Sequence, residues 1–287
     1  MKFVFFGTPE FAEIVLDKLI QGGYIPSAVI CNPDRPVGRK KIITPPPVKT
    51  RIMNYELGIK NQIKILQPEK LNPSSFSIHD SLFDLFVVAA YAKIIPAEIL
   101  KIPRLGVIGV HPSLLPKHRG PSPIQSVILN GDKETGAALY LMDALVDHGP
   151  ILESRKLKIE SRINYLELER QLAELGGDLL VEVLPKFVEG EIKPEIQNED
   201  EATFTKKFTT QDAFVNYSDL LEAENGDFNL ALMIDRKIRA FVAEPGAWTI
   251  RDGKRVKLLE AEIVGVNLRL KKIQVEGERP KMVENSK

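Results

Sequence analysis

The sequence predicts an α/β protein with a mostly parallel sheet, followed by a smaller C-terminal domain of strands arranged as a small barrel or sheet. Three observations support this. The chain opens with a strand–helix–strand pattern, which is typical of parallel α/β folds. Near-continuous apolar runs recur, as in central strands covered on both faces. After a polar segment, the last third alternates apolar and polar residues, as short strands do.

The sequence indicates where the first strand, the first helix and the second strand begin and end. Residues 2–6 form an apolar run that predicts a short buried strand. Thr8 is expected to act as the N-cap of the following helix, with Pro9 in its first turn. That helix should end at Gly22 and Gly23. Residues 25–31 then predict a second strand.

The later elements follow from the spacing of apolar residues. Strands are predicted at residues 84–91, 107–110, 137–142, 151–159, 247–251, 255–264 and 268–275. Helices are predicted at residues 48–57, 121–129, 164–188 and 234–242. Residues 32–47 carry too many prolines for regular structure and are expected to form a loop. We therefore predict a catalytic domain at 1–189, a linker at 190–204 and a C-terminal domain at 205–287.

The composition bounds the class of protein. The formal net charge is zero over 287 residues, so bulk charge does not point to nucleic acid. Local charge is less even: residues 35–60 hold seven Lys or Arg against one Glu, and residues 251–287 hold ten against six acidic residues. Such regions can hold an RNA backbone, or can be two solvated loops. The single cysteine, Cys31, excludes an internal disulfide and suits a reducing, cytoplasmic compartment.

One segment carries the chemistry. His111 follows a buried apolar run, and Pro112 favours an extended backbone there. A histidine so placed can exchange protons near neutral pH, or can simply bond a backbone carbonyl at the strand end. Downstream, Asp143 and Asp147 flank a short loop, and either could orient a histidine or position a water. The histidines lack metal-ligand spacing, so no metal site is expected. The first strand–helix turn lacks the glycine spacing that a nicotinamide dinucleotide requires.

Segments spread along almost the whole chain carry a family resemblance. They include GTPEFA at 7–12, NPDRPVGRKK at 32–41, TPPPVK at 44–49, VVAAYAKIIP at 87–96, HPSLLPKHRGPSPIQ at 111–125, NGDKETG at 130–136, MDALVDHGPIL at 142–152, ATFTKKFTTQDAFV at 202–215, RKIRAFVAEPGAWT at 236–249 and IQVEGERP at 273–280. With these segments the chain resembles the methionyl-tRNA formyltransferases, a branch of the folate-dependent formyltransferases. The basic loop and the C-terminal segments distinguish this branch from the others.

The resemblance implies a Rossmann-like formyltransferase domain and a C-terminal β-barrel of the OB type that contacts tRNA. The implied reaction moves a formyl group from 10-formyltetrahydrofolate to the amino group of methionine on initiator tRNA, by a protein expected to act as a monomer. His111 and Asp147 match catalytic residues of the family. The residues implied in folate binding are Tyr91, Ser113, Leu114, Leu115 and Pro116. Those implied at the tRNA acceptor end are Arg39, Lys40 and Lys41.

The chain departs from the family motif at Gly109. The motif reads Asn-x-His, and its asparagine donates to the developing oxyanion; here the triplet is Gly109-Val110-His111. Losing one such donor typically costs about a hundred- to a thousandfold in rate, so impaired activity is expected and Gly109→Asn should raise it. Three alternatives stay open: a sugar-nucleotide N-formyltransferase, a folate- or RNA-binding protein without turnover, and a hydrolase that releases formate.

Overall fold

A computed structural model of the chain describes residues 1–38, 40–72 and 83–283. Its contacts form two compact units, and the chain passes between them more than once. The first comprises Met1–Arg119, Thr135–Leu157 and Glu169–Phe204, and the second comprises Gly120–Glu134, Lys158–Leu168 and Thr205–Lys287. Within the described ranges, no helix has both the length and the apolar content needed to cross a membrane.

The first unit contains a seven-stranded sheet and a separate two-stranded hairpin. Its strands, in chain order, are β1 (Phe3–Gly7), β2 (Ala28–Ile30), β3 (Arg35–Val37), β4 (Ile42–Thr44), β5 (Lys64–Leu66), β6 (Leu85–Ala89), β7 (Val107–His111), β8 (Glu134–Leu141) and β9 (Ile151–Lys158). The sheet order is β5-β2-β1-β6-β7-β8-β9, and β3 pairs with β4. The five strands from β5 to β7 are parallel, whereas β8 runs antiparallel to β7. The predicted α/β fold with a mostly parallel sheet is therefore confirmed.

The central strands are built from the apolar runs seen in the sequence. Every residue of β1, β6 and β7 is buried, as expected for strands covered on both faces. Their carboxyl ends, at Gly7, Ala89 and His111, lie at one edge of the sheet because the three strands are parallel. This edge is where ligands bind in open α/β sheets.

The α-helices in the described parts of the chain are α1 (Glu10–Gln21), α2 (Pro47–Met53), α3 (Leu57–Lys60), α4 (Ala97–Leu100), α5 (Pro123–Asn130), α6 (Tyr165–Val188), α7 (Tyr217–Glu224) and α8 (Phe228–Ala240). The end of α1 at Gly22 and Gly23 is as predicted, with Gly23 at a φ of 85°. The predicted N-cap is wrong. Pro9 takes that position, and the Thr8 hydroxyl instead accepts from the backbone N–H of Asn32 at 3.2 Å.

The proline-rich segment after β2 was predicted as an irregular loop, but it contains the hairpin of β3 and β4. Val37 pairs with Ile42 and Pro36 with Ile43 in an antiparallel register. Gly38 turns the chain at a φ of 70°, and β-branched residues favour the extended strands on either side. All three residues of each strand are exposed, so the hairpin presents its side chains to solvent.

The second unit has its own buried core between helices and an antiparallel sheet. Its strands β10 (Trp248–Arg251), β11 (Lys254–Val264), β12 (Asn267–Val275) and β13 (Lys281–Met282) pair in that order. Helix α8 begins earlier than predicted because the Asp227 carboxylate caps it, accepting from two backbone N–H groups at 3.0 Å. Ile234 and Ile238 of this helix pack with Leu258 and Leu268 of the sheet.

Candidate active site

His111, the last residue of β7, is buried, with 6% of its surface exposed. Its Nε2 is 3.0 Å from the backbone carbonyl oxygen of His118. Because a carbonyl can only accept, Nε2 carries the hydrogen. The Nδ1 of the neutral ring then has a free lone pair, and it lies 3.6 Å from Oδ2 of Asp147. The ring nitrogen that can take up a proton is therefore the one beside a carboxylate.

Asp147 lies in the loop between β8 and β9, at a φ of 49°. Aspartate tolerates this left-handed backbone better than most residues. The conformation is held from outside the loop by Gln197, whose Nε2 donates to the carbonyl oxygens of Asp147 at 3.0 Å and Gly149 at 2.7 Å. The carboxylate is held separately, since the Tyr140 hydroxyl donates to its Oδ1 at 2.7 Å.

Tyr140 and Gly109 form one packing unit. The register of β7 and β8 places Tyr140 directly opposite Gly109, and Ala138 directly opposite His111. Residues two apart on a strand share a face, so these four side-chain positions lie on the same face of the sheet. The tyrosine ring covers the glycine: a Cβ added at Gly109 would lie 2.4 Å from Tyr140 Cε1 and 2.9 Å from its hydroxyl oxygen. Burial, followed by the Asp147 carboxylate, raises the pKa of Tyr140 well above its usual value, so the phenol is a proton donor.

Arg119 orients Gln197. The Arg119 side chain is only 1% exposed, and its Nη2 and Nε donate to Oε1 of Gln197 at 2.8 and 3.1 Å. The same guanidinium donates twice to the carboxylate of Glu199, at 2.7 and 2.9 Å. With its oxygen engaged by the arginine, the Gln197 amide can only turn its NH₂ group toward the loop of Asp147. A segment that sequence patterning treats as a linker thus supports the site.

Four of the residues implied in folate binding follow His111 closely in sequence, and the fifth, Tyr91, follows the neighbouring strand β6. Ser113 is fully buried, and its hydroxyl donates to the Lys117 carbonyl oxygen at 2.6 Å. Leu115 packs with Ala138 and Tyr140. Tyr91 packs edge-on against Phe6, and its buried hydroxyl has no hydrogen-bond partner in the described parts of the chain. Such an orphaned polar atom suits a polar group of a ligand.

A cavity of about 600 Å³ lies at the same carboxyl edge of the sheet. It is lined by the first strand–helix turn, by the segment after β2 and by the start of α2: Thr8, Pro9, Glu10, Glu13, Asn32, Pro33, Arg35, Val37, Thr44, Pro45, Pro46, Pro47 and Thr50. His111 is not among its lining residues. The histidine and the cavity are therefore separate features of the carboxyl edge.

The sequence comparisons agree with this geometry. Residues 1–184 match the formyl transferase family and residues 227–281 match the formyl transferase C-terminal domain. The chain is 40% identical to the methionyl-tRNA formyltransferase of Enterococcus faecalis over 90% of this chain and 78% of that protein. It is equally identical to that of Caldanaerobacter subterraneus subsp. tengcongensis, over 92% and 81%. This chain belongs to the methionyl-tRNA formyltransferase family.

Solved structures share the fold of this formyltransferase. The methionyl-tRNA formyltransferase from Clostridium thermocellum superimposes with a TM-score of 0.61 at 16% identity, covering 96% of this chain and 98% of that one. A 4-N formyltransferase from Francisella tularensis gives 0.66 at 18% identity, covering 92% and 99%. At these identities the likeness shows the architecture alone.

The candidate site contains residues that the sequence named and residues that it did not reveal. His111, Asp147 and Gly109 do come together. Asp143, the other candidate, instead accepts from Nδ1 of His148 at 2.6 Å. Lys40 and Lys41 are exposed beside the hairpin, and Arg39 lies outside the described residues. The site residues that the sequence analysis missed are Tyr140, Arg119 and Gln197.

The structure also revises the expected result of Gly109→Asn. The sequence predicts that Gly109→Asn restores a lost donor and raises the rate. Instead, Tyr140 fills the space over Gly109 and brings a hydroxyl group of its own. An asparagine cannot be added there while the buried ring keeps its position, so the single substitution should not restore a formyltransferase site.

The hydrogen bonds that Gln197 makes between Arg119 and the loop of Asp147 can be tested with a substitution that keeps the size of the Gln197 side chain. In Gln197→Glu, the side chain can still accept from Arg119 but cannot donate to the carbonyls of Asp147 and Gly149. We expect kcat for formyl transfer to fall about tenfold, because the loop that carries the Asp147 carboxylate loses the two hydrogen bonds from Gln197. The matched control is Gln62→Glu, since Gln62 also donates to a carbonyl but lies on the exposed surface. Steady-state kinetics of both variants decide it: a fully active Gln197→Glu protein would show that these hydrogen bonds are dispensable.

Proposed function

We propose that this protein transfers the formyl group of 10-formyltetrahydrofolate to the amino group of methionine carried by initiator tRNA. The observation that carries the proposal is the His111–Asp147 pair at the carboxyl edge of the sheet, in a chain of this family. In the neutral ring, the nitrogen that can accept a proton is Nδ1, and the Asp147 carboxylate faces it. Family resemblance supplies the two substrates, and the geometry supplies the means to move the proton between them.

The chemistry needs proton transfer and no covalent enzyme intermediate. The amine attacks the formyl carbon and must lose a proton, and the departing folate nitrogen must gain one. Nδ1 of His111 can accept the first proton and return it. The imidazolium formed in between is stabilised at both nitrogens, by the His118 carbonyl at Nε2 and by Asp147 at Nδ1.

The folate cosubstrate fits the segment after β7. We propose that Ser113, Leu114, Leu115 and Pro116 line it mainly through their backbone, since the Ser113 hydroxyl is already bonded and Leu115 packs inward. The unpartnered hydroxyl of Tyr91 supports a place in the same site. Met142 packs against the clusters of both Tyr91 and Leu115, so the two regions adjoin.

The tRNA is proposed to approach from the hairpin side. The cavity at the carboxyl edge is lined by residues on both sides of the exposed hairpin, and Lys40 and Lys41 lie at the hairpin turn. Together with Arg39, these cations match phosphate contacts at the acceptor end, which would bring the aminoacyl group to the carboxyl edge of the sheet where His111 lies.

Formyl transfer is tested directly with charged initiator tRNA and 10-formyltetrahydrofolate, by following formylation of the methionine. We expect turnover with this acceptor and none with an amino-sugar nucleotide. Formylation of the sugar instead would favour the sugar-nucleotide enzyme. Folate binding without any transfer would contradict the proposal, and so would release of formate to water.

Neutralising the hairpin cations should weaken tRNA binding in a salt-dependent way. In Lys40→Gln/Lys41→Gln, two phosphate contacts are lost. The slope of the logarithm of the tRNA association constant against the logarithm of salt concentration should therefore become shallower by about one to two. Filter-binding titrations across a range of salt concentrations measure the slope. Lys101→Gln/Lys193→Gln removes the same charge from exposed positions elsewhere and should leave it unchanged. An unaltered slope in the hairpin variant would contradict the assigned role.

A further inference from the structure

Tyr140, His111 and Asp147 form a chain of polar contacts that ends on the backbone. The Tyr140 hydroxyl is 2.7 Å from Oδ1 of Asp147, the other carboxylate oxygen is 3.6 Å from Nδ1 of His111, and Nε2 of His111 is 3.0 Å from the His118 carbonyl oxygen. Tyr140 lies in the sheet at one end of this chain, and the His118 carbonyl oxygen accepts at the other end. The two groups between them are the ones proposed to move the proton.

The phenol can serve only as a donor here. Its burial and the nearby carboxylate raise the pKa of Tyr140 well above its usual value, so the hydroxyl keeps its hydrogen near neutral pH. A phenol has a single hydrogen, and Oδ1 of Asp147 accepts it. This bond fixes the rotation of the carboxylate, so that Oδ2 is the oxygen turned toward the histidine.

The Asp147 carboxylate needs a hydrogen bond to hold it, because the two residues before it in the loop are not packed into the core. Leu145 and Val146, directly before Asp147, are 61% and 64% exposed. Gln197 anchors the backbone of the loop, but a backbone anchor leaves the side-chain torsions of Asp147 free. The charge-assisted bond from a buried, sheet-mounted tyrosine holds the carboxylate itself.

We propose that Tyr140 is a positioning residue for formyl transfer, filling the space over Gly109 with its ring and holding the Asp147 carboxylate against His111 with its hydroxyl. This inference rests on the proposed function, since it assigns a part in that reaction. It also gives Gly109 a structural reason, because any side chain there would collide with the ring. The glycine and the tyrosine are a matched pair across β7 and β8.

The first test removes the hydroxyl and keeps the ring. In Tyr140→Phe, kcat for formyl transfer should fall about ten- to thirtyfold, while the KM for each substrate changes less than twofold. Tyr55→Phe is the matched control, because the Tyr55 hydroxyl also donates to a carboxylate, that of Asp17, away from His111. We expect the control to keep the wild-type kcat. Thermal unfolding of both variants shows that each is folded.

The second test asks whether Tyr140 acts through Asp147. Residues that work as one unit give non-additive losses. Adding Tyr140→Phe to an Asp147→Asn protein should therefore change kcat less than twofold, although Tyr140→Phe alone lowers it at least tenfold. A purely structural tyrosine would instead lower kcat by the same factor in both backgrounds.

The results separate this inference from the proposed function. If the wild type transfers formyl groups and Tyr140→Phe does so at the same rate, or with additive losses, the positioning role is overturned and the function stands. If the wild type transfers none, the function fails, and the nitrogen-15 signals of the His111 ring decide the positioning role. Displaced ring signals in Tyr140→Phe but not in Tyr55→Phe support it, and unchanged signals overturn it.

Discussion

Replacing His111 with glutamine should lower kcat for formyl transfer about a thousandfold, with KM for both substrates nearly unchanged. A positioned acid–base group typically contributes about 10²- to 10⁴-fold. Here the same nitrogen is expected to take the proton from the amine and return it to the leaving group. A glutamine side chain can still bond the His118 carbonyl, but it offers no nitrogen lone pair in place of Nδ1.

The control for this prediction is His148→Gln. His148 is one residue from Asp147 in sequence, yet its Nδ1 bonds Asp143 at 2.6 Å and its Nε2 lies 3.6 Å from Glu199. Its loss should change kcat only a few-fold. Single-turnover rates at saturating folate and tRNA give the comparison, because they report the chemical step without product release. If the two variants were equally slow, the proton transfer would not depend on His111 in particular.

The difference between these two histidines could be read from the sequence only in part. His111 stands out because it follows a buried apolar run, and such a run ends at the ligand-binding edge of a parallel sheet. The loop alone did not distinguish Asp143 from Asp147, since either could reach a histidine, and only the family resemblance pointed to Asp147. The structure assigns each aspartate to a different histidine.

The fold was predictable where burial on both faces leaves a long apolar run, as in β1, β6 and β7. It was less so where strands are short and exposed. The hairpin of β3 and β4 contains a proline and has no buried residue, so its composition resembles that of a loop. Its pairing depends on contacts between the two strands, which a pattern along one strand does not show.

Tyr140 and Gln197 were missed for a related reason. Tyr140 belongs to an apolar strand, and its role becomes visible only from the register that places it opposite Gly109. Gln197 lies in a polar segment, and its role depends on a hydrogen bond from the buried Arg119, which is 78 residues away in sequence. One sequence signal was available: a glycine inside a buried strand leaves room for a large side chain on the neighbouring strand.

The pairing of Gly109 with Tyr140 determines what we expect of the single variant Gly109→Asn. The added Cβ would lie 2.4 Å from the Tyr140 ring, which is buried and cannot move aside without disturbing the core around it. Overpacking of this kind usually costs about 1–3 kcal/mol of folding free energy. We expect the variant to unfold at lower denaturant concentration and to transfer formyl groups no faster than the wild type.

Making room for the asparagine should reverse this result. In Gly109→Asn/Tyr140→Leu, the smaller leucine can pack against the apolar neighbours of Tyr140, Leu115 among them, and the carboxamide can reach the place of the phenol oxygen, 2.9 Å from the added Cβ. Relative to Tyr140→Leu alone, the double variant should be about a hundredfold faster, because the carboxamide has two hydrogens, one for the Asp147 carboxylate that leucine leaves unbonded and one for the developing oxyanion. Steady-state kcat for the wild type, both single variants and the double variant completes the cycle. A double variant no faster than Tyr140→Leu would mean that this position does not face the developing oxyanion.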